Sequence, residues 1–505
     1  MKKFKTCIAE GAFLKGHPLR SFWFVLWCIG LVSGICLPLK GQSLKTLPDN
    51  PHYFQYQNKP LLIIGSGEHY GALVNAAFDF NAYFKTLSNA GLNHTRLFMG
   101  AYYEKPGAFG IKKNTLAPSP GNLVLPWKSQ GEKYDLTSWN DAYFSRLHQF
   151  MNLSAAAGVI VEITLFSSYY GAGWNYHPFH SSQNINNLSE SFDFRKAHTL
   201  ENGRLLQFQE LYVKKMVREL NPYDHFYFEI QNEPWADLRD TLIVWNQTFK
   251  REDLKSPGNF WKNTIEVPAQ ASYQWHQAVS AWIVEEEKKL NKKHLISHNI
   301  ANFKFPVSVN NPDISIYNFH YALPEAVDLN YKLNKIIGFN ETGFIGQQDY
   351  LYRRQAWRFI MAGGGLFSHL DYSFSSDHPD GTEDIEDSPG GGSPGLRTQL
   401  SLLKKLISAH DLNTLKPDHS FIQHIEGAFY WSMQDKSSYL VYFEPVSTHS
   451  FKIALNIVPG RYRIDWINCD TGQVLKSTPA EKLNNKVNLD SPEGMSDVFL
   501  RLTRL

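Results

Sequence analysis

Residues 225–235 read HFYFEIQNEPW, an apolar and aromatic run that ends on Gln231, Asn232, Glu233 and Pro234. A second apolar run, IIGFNE at 336–341, ends on Glu341. An ionised carboxylate left in a hydrophobic interior is costly unless it is paired. Two strands that finish on glutamate therefore read as strands leaving the interior at those points. Paired carboxyl groups at such exits can act as proton donor and nucleophile, which is what acid-assisted displacement at an acetal carbon requires. The donor must keep its proton near neutral pH, which burial or a neighbouring negative charge arranges, and the nucleophile must stay ionised, which a nearby cation favours. Arg96, in HTRLFM (94–99), is a suitable cation, and Asn232 is placed to hydrogen-bond a hydroxyl beside the reacting carbon.

The elements that must position these groups are short apolar strands separated by longer, helix-compatible segments. The strands are LLIIG (61–65), HTRLFM (94–99), VIVEITLF (159–166), FYFEI (226–230), HLISHNI (294–300), ISIYNFHY (314–321), IIGFNE (336–341) and GLFSHLDY (365–372). Strands alternating with helical patterns predict βαβ units and a parallel sheet, and eight of them predict an α/β fold, a (β/α)8 TIM barrel. In such a barrel the active site lies at the C-terminal ends of the strands, where Glu233 ends the fourth and Glu341 the seventh. The segments 80–91 and 139–158 carry the helical period and end on Gly91 and Gly158, and Thr137 or Ser138 is a suitable N-cap for the second. Residues 273–293 predict a further amphipathic helix, and 398–415 the last of the barrel. Beyond it the period becomes two, in AFYWSMQ, SYLVYFE, FKIALNIV, RYRIDWIN and KVNL, which predicts a small antiparallel β-sandwich. The barrel is expected over 45–415 and the sandwich over 420–505, with the boundary near 415–425.

The Asn232-Glu233-Pro234 motif, a second Glu ending a later strand, an Arg on the second strand and a His on the sixth resemble the clan of retaining (β/α)8-barrel glycoside hydrolases that includes the cellulase-like family 5 enzymes. The resemblance covers roughly residues 50–410, and the tail, with GRYRIDWINCDTGQVL (460–475), resembles the β-sandwich that follows many secreted bacterial barrels of this kind. It implies Glu233 as acid/base and Glu341 as nucleophile, with Arg96, Asn232 and His320 as further site residues. Three positions depart from the pattern. Tyr321 follows His320 directly, where the clan usually places a Tyr two residues on. The eighth strand offers HLDYSF in place of the expected Trp, leaving Tyr372 as the candidate sugar platform, and EITLFSSYYG supplies hydroxyls where a His is expected near the end of the third strand.

Trp174, Tyr169, Tyr170 and Trp235 lie just beyond strand ends, where an aromatic face suits either a sugar ring or core packing. Glu68 and His69 suit sugar contact and loop support equally. The stretch SSDHPDGTEDIEDSPGGGSPG (375–395) lacks the ordered ligand spacing of a calcium loop and is expected as a mobile solvated loop. No metal and no organic cofactor is implied.

Lys2, Lys3, Lys5, Lys15 and Arg20 precede the apolar stretch 22–37, the layout of a signal peptide over residues 1–41. An uncleaved signal anchor competes with that reading, although the stretch is marginal for a membrane span. The expected location is therefore secreted or periplasmic in a bacterium. Without residues 1–41, 44 basic side chains stand against 47 acidic ones, a net −3 that offers nothing to nucleic acid. Cys469 is then the only cysteine, so no intrachain disulfide framework forms. The sequence thus predicts a retaining glycoside hydrolase with a β-linked carbohydrate substrate. A non-catalytic glycan-binding protein on a barrel scaffold is the alternative, and the oligomeric state is open.

Overall fold

Each of the eight apolar runs forms a parallel strand: β1 (Ile63–Gly67), β2 (His94–Phe98), β3 (Ile160–Ser167), β4 (Phe226–Asn232), β5 (Ile296–Asn302), β6 (Ile316–His320), β7 (Ile336–Glu341) and β8 (Leu366–Leu370). The computed structural model describes residues 43–188, 193–246, 248, 259–308 and 310–505. Neighbouring strands pair in chain order, and β8 pairs back onto β1. Between β1 and β2 the ring is closed by Asn93, whose N–H donates to the Ile64 carbonyl at 3.2 Å while its side chain accepts from Ile64 N and donates to Leu62 O. The result is a (β/α)8 TIM barrel. The leader, including Cys7, Cys28 and Cys36, lies outside the described residues, among which no helix is long and apolar enough to cross a membrane.

The strands are linked by α1 (Phe80–Asn89), α2 (Asp141–Ala157), α3 (Leu205–Leu220), α4 (Gln270–Glu287), the short α5 (Glu325–Asn330), α6 (Asp349–Met361) and α7 (Pro394–Ser408). Asp79, Asn140 and Ser393 cap α1, α2 and α7 through their side chains. The cap of α2 is thus Asn140 rather than Thr137 or Ser138. Those two lie in a strand, Lys133–Trp139, and turn their hydroxyls onto Asp135 at 2.7 and 2.6 Å. Among the described residues no helix joins β5 to β6, since Pro306 and Pro312 deny that link a continuous helical ladder.

The barrel interior is polar where apolar layers are the rule for this fold. Arg96, from β2, is fully buried and lies against Glu229, Glu162 at 3.4 Å and Glu341 at 2.9 Å. Asn318 and Asn340 donate to both Glu162 and Glu229, and Asn299 donates to Glu229. The buried charges are thereby paired and bonded, the condition under which such groups are tolerated. Glu233 and Glu341 therefore stand at the mouth of a polar channel.

The C-terminal strands form a six-stranded and a three-stranded antiparallel sheet. The strand Ser438–Pro445 explains why its sequence is apolar throughout. Tyr439, Val441 and Phe443 face the core between the two sheets, while Leu440 and Tyr442 join the barrel core. On the barrel side, Trp357 of α6 stacks on Tyr442, Arg353 pairs with Asp497 at 2.7 Å, and Arg358 pairs with Glu444.

Candidate active site

In an extended strand successive side chains alternate between faces, so adjacent residues cannot both enter one cleft. The chain evades that rule twice. After β4, Glu233 takes φ 45°, in the left-handed region, so that Asn232 and Glu233 turn inward together. At the end of β6, a bulge between Phe319 and His320 sets His320 opposite Glu341, and Tyr321 follows at φ 51°. Consecutive residues His320 and Tyr321 therefore both reach the glutamates. Tyr321 donates to Glu341 Oε1 at 3.0 Å, making the contact that its sequence position had placed in doubt.

One ligand atom from each of Glu233, His320 and Glu341 lies within 4.8 Å of the others. Glu233 Oε1 is 2.9 Å from His320 Nδ1, and Oε2 accepts from the Tyr170 hydroxyl at 2.7 Å. Glu341 accepts from Arg96 at 2.9 Å, Tyr70 at 3.1 Å and Tyr321 at 3.0 Å. Burial pushes the Glu233 carboxyl up to about 7, against the opposing pull of the Tyr170 hydrogen bond and Arg96. Burial lowers His320 to about 4, so its imidazole is neutral near pH 7. The three groups are close enough to hold a cation, but the guanidinium on Glu341 would repel one there. Proton sharing between His320 and Glu233 suits the geometry better.

Around this pair the cleft encloses about 470 Å³ and is walled by Tyr70, Phe109, Tyr170, Trp235, Trp261 and Phe344 among others. Two ion pairs line it, His69–Glu104 at 3.3 Å and Arg239–Glu266 at 2.9 Å. Trp261, whose ring lies 4.8 Å from that of Tyr321, went unrecognised in the sequence, as did Tyr70, Glu104 and the Arg239–Glu266 pair, whereas His69 was among the residues suited to sugar contact. The available signal was the length of the β4–α4 connection, residues 233–269, far beyond the usual span of such links. That connection carries a hairpin, Arg239–Val244 paired with Thr264–Pro268, which delivers Trp261.

Several expected residues are elsewhere. Trp174 packs against Tyr169 and lines a separate cavity with His180 and Arg204, because a turn of 3-10 helix carries it away from the cleft. Tyr372 is buried behind the wall, where Gly390 packs on its ring and its N–H donates to Gly391 O, and it lines an adjoining cavity with Lys112 and Glu383. Its ring is 6.5 Å from those of His69 and Phe344, which do line the cleft. Trp235 lines the cleft and meets His320 edge-on. Glu68 supports its loop, accepting from Gly71 N, Ala72 N and Thr115. The acidic stretch 375–395 is pinned, since Arg397 donates to Gly381 O, Gln347 to the Ile385, Glu386 and Ser388 carbonyls, and Asn75 to Ser376.

No protein-family model matches the sequence, and no curated protein sequence matches it. Solved structures do share the fold. A glycoside hydrolase aligns with a TM-score of 0.59 at 12% identity over 92% of this chain and 97% of its own. A glycoside hydrolase family 5 structure from Bacteroides vulgatus aligns at 0.60 and 12% identity, over 92% and 93%. Another Bacteroides vulgatus structure aligns at 0.62 and 14% identity, over 92% and 82%.

Proposed function

We propose that the protein hydrolyses β-glycosidic bonds of a polysaccharide or oligosaccharide with retention of configuration. The observation that carries this reading is the approach of the Glu233 and Glu341 carboxylates within 4.8 Å at one end of the barrel. Retaining glycosidases hold their two carboxyl groups about 5–5.5 Å apart, whereas inverting ones leave roughly 6.5–9.5 Å for a water. Glu341, with the Arg96 guanidinium as counter-charge, attacks the anomeric carbon while Glu233 gives its proton to the leaving oxygen. In the second step Glu233 takes a proton from water, whose oxygen displaces Glu341 from the same carbon. A carboxyl titrating at about 7 can serve both steps near neutral pH. Asn232 stands beside Glu233, where its amide can meet a sugar hydroxyl.

The test is product analysis on a panel of aryl β-glycosides and β-linked glycans. Proton NMR of the first-formed product is expected to show the β-anomer, and Glu233→Gln and Glu341→Gln are each expected to lower kcat at least about 10³-fold with the fold intact. Normal turnover in either variant, or an α-anomer as first product, refutes the assignment. Glycan binding without any product would favour a recognition protein instead.

A further inference from the structure

Tyr170 holds a bulky side chain at φ 52°, a backbone region that such residues avoid unless their surroundings impose it. The surroundings here belong to the segment that carries Glu233. The Asp237 carboxylate, in the turn after β4, accepts the backbone N–H groups of Tyr169 at 2.6 Å and Tyr170 at 2.9 Å. Ser168 donates its hydroxyl to the Glu233 carbonyl at 2.7 Å, and its N–H donates to Asn232 O at 3.1 Å. The ends of β3 and β4 are thus stitched together on both sides of Glu233.

The ring of Tyr170 then reaches back to the carboxyl. Asn232 Nδ2 donates to Tyr170 Oη at 3.0 Å, and Asn232 is itself oriented by Arg96, which donates to its Oδ1 at 2.8 Å. With that lone pair engaged, the phenolic proton is directed to Glu233 Oε2, 2.7 Å away. We propose that Tyr170, locked by Asp237 and Asn232, is the positioning residue for the Glu233 carboxyl: it fixes the carboxyl plane and keeps the transferable proton on Oε1. This rests on the reading of Glu233 as proton donor. It also gives a task to the hydroxyl-rich end of the third strand, where the resemblance had led one to expect a histidine.

The titratable and charged groups that face Glu233 are His320 at the end of β6, Tyr321 just after it, Arg96 on β2, Glu229 on β4, Glu341 on β7, and Glu104 and Glu266 from the connections. Among the described residues Tyr170 is the hydrogen-bond donor to Oε2, and it donates from a neutral hydroxyl. Because it donates to the charged form, removing it moves the Glu233 titration upward from about 7.

The experiment uses the full chain labelled with 13Cδ-glutamate, the Glu233 resonance being identified by its loss in Glu233→Gln. In Tyr170→Phe the Glu233 titration midpoint is expected to rise by about half a pH unit or more. On whichever aryl β-glycoside is turned over, kcat is expected to fall about 10-fold or more with KM within about threefold, and the alkaline limb of the rate profile to move the same way. Asp237→Asn keeps the phenol but turns an amide donor toward one backbone N–H, and is expected to shift both readouts in the same direction by less. It also serves if Tyr170→Phe fails to fold, which thermal unfolding reports. A midpoint unmoved in the folded variants, with kcat within about twofold of the parent, overturns the positioning role while leaving the Glu233 assignment intact. Undiminished turnover in Glu233→Gln overturns the donor reading and the proposal with it.

Discussion

Arg96 is the residue on which the site's electrostatics converge. Its guanidinium is fully buried and touches three carboxylates and the Asn232 amide, an arrangement that only a planar, permanently charged fork can satisfy. Burial opposes its charge, yet Glu229, Glu162 and Glu341 outweigh that and hold it well above its ordinary value. Arg96→Met should therefore cost about 3–5 kcal/mol, because it strands buried carboxylates without a partner. Urea unfolding checks this, and a loss below about 1 kcal/mol would mean that the carboxyls simply take up protons. Glu229, pushed upward mainly by its own burial, is the group to take up such a proton.

At the scale of elements, strands and their ends hold the two glutamates, His320 and Arg96, and connections wall the cleft around them. Glu341 and His320 close β7 and β6, Glu233 follows β4, and Arg96 sits within β2. Trp261, Phe109 and Tyr170 all come from connections longer than strand-to-helix links usually are. Trp261 is half-buried and packs on Tyr321 and Phe344, so its remaining face is offered to the cleft. Trp261→Ala should raise KM about 10-fold with kcat nearly unchanged, as expected for a contact made equally in ground and transition states. A fall in kcat at constant KM would place the indole in the chemistry instead.

Over the whole molecule, the pH response is set by two opposed populations of buried groups. Burial lowers seven histidines, His94, His177, His198 and His298 to about 3 and His225, His320 and His369 to about 4. Below pH 6.5 the unfolded chain binds protons at these histidines that the folded chain refuses, so stability falls with pH. Burial also raises four carboxyls, Glu68, Glu233, Asp237 and Glu266, to about 7. These bind protons more tightly when folded, so their stabilisation is present in acid and fades as pH climbs from the ordinary carboxyl range to 7. His52, His180 and His276 are lowered in the same way, and Glu229, Asp328 and Asp349 are raised, so among the described residues ten histidines stand against seven carboxyls and the balance is a net gain. The unfolding temperature should rise between pH 4.5 and 6.5 and then level off toward 7.5, and a scan that falls monotonically over that range would contradict the histidine assignments.

All eight barrel strands were legible as apolar runs, because a strand covered on both faces must be apolar over most of its length. Both glutamates were legible for the complementary reason: a carboxylate ending such a run marks the point where the chain leaves the interior. The sandwich strands announced themselves by period two, and Ser438–Pro445 by losing that period where it packs on both sides. Other features depended on the assembled fold. Period two puts Asn232 and Glu233, or His320 and Tyr321, on opposite faces, and only left-handed backbone and a bulge bring each pair to one cleft. Trp174 stood out as an aromatic just beyond a strand end and Trp261 did not, yet their loops send the first to a separate cavity and the second to the glutamates. Local composition determines where a chain is buried, because burial is a property of each side chain. Which distant groups meet is decided by loop paths and barrel closure, and those exist only once the whole chain has folded.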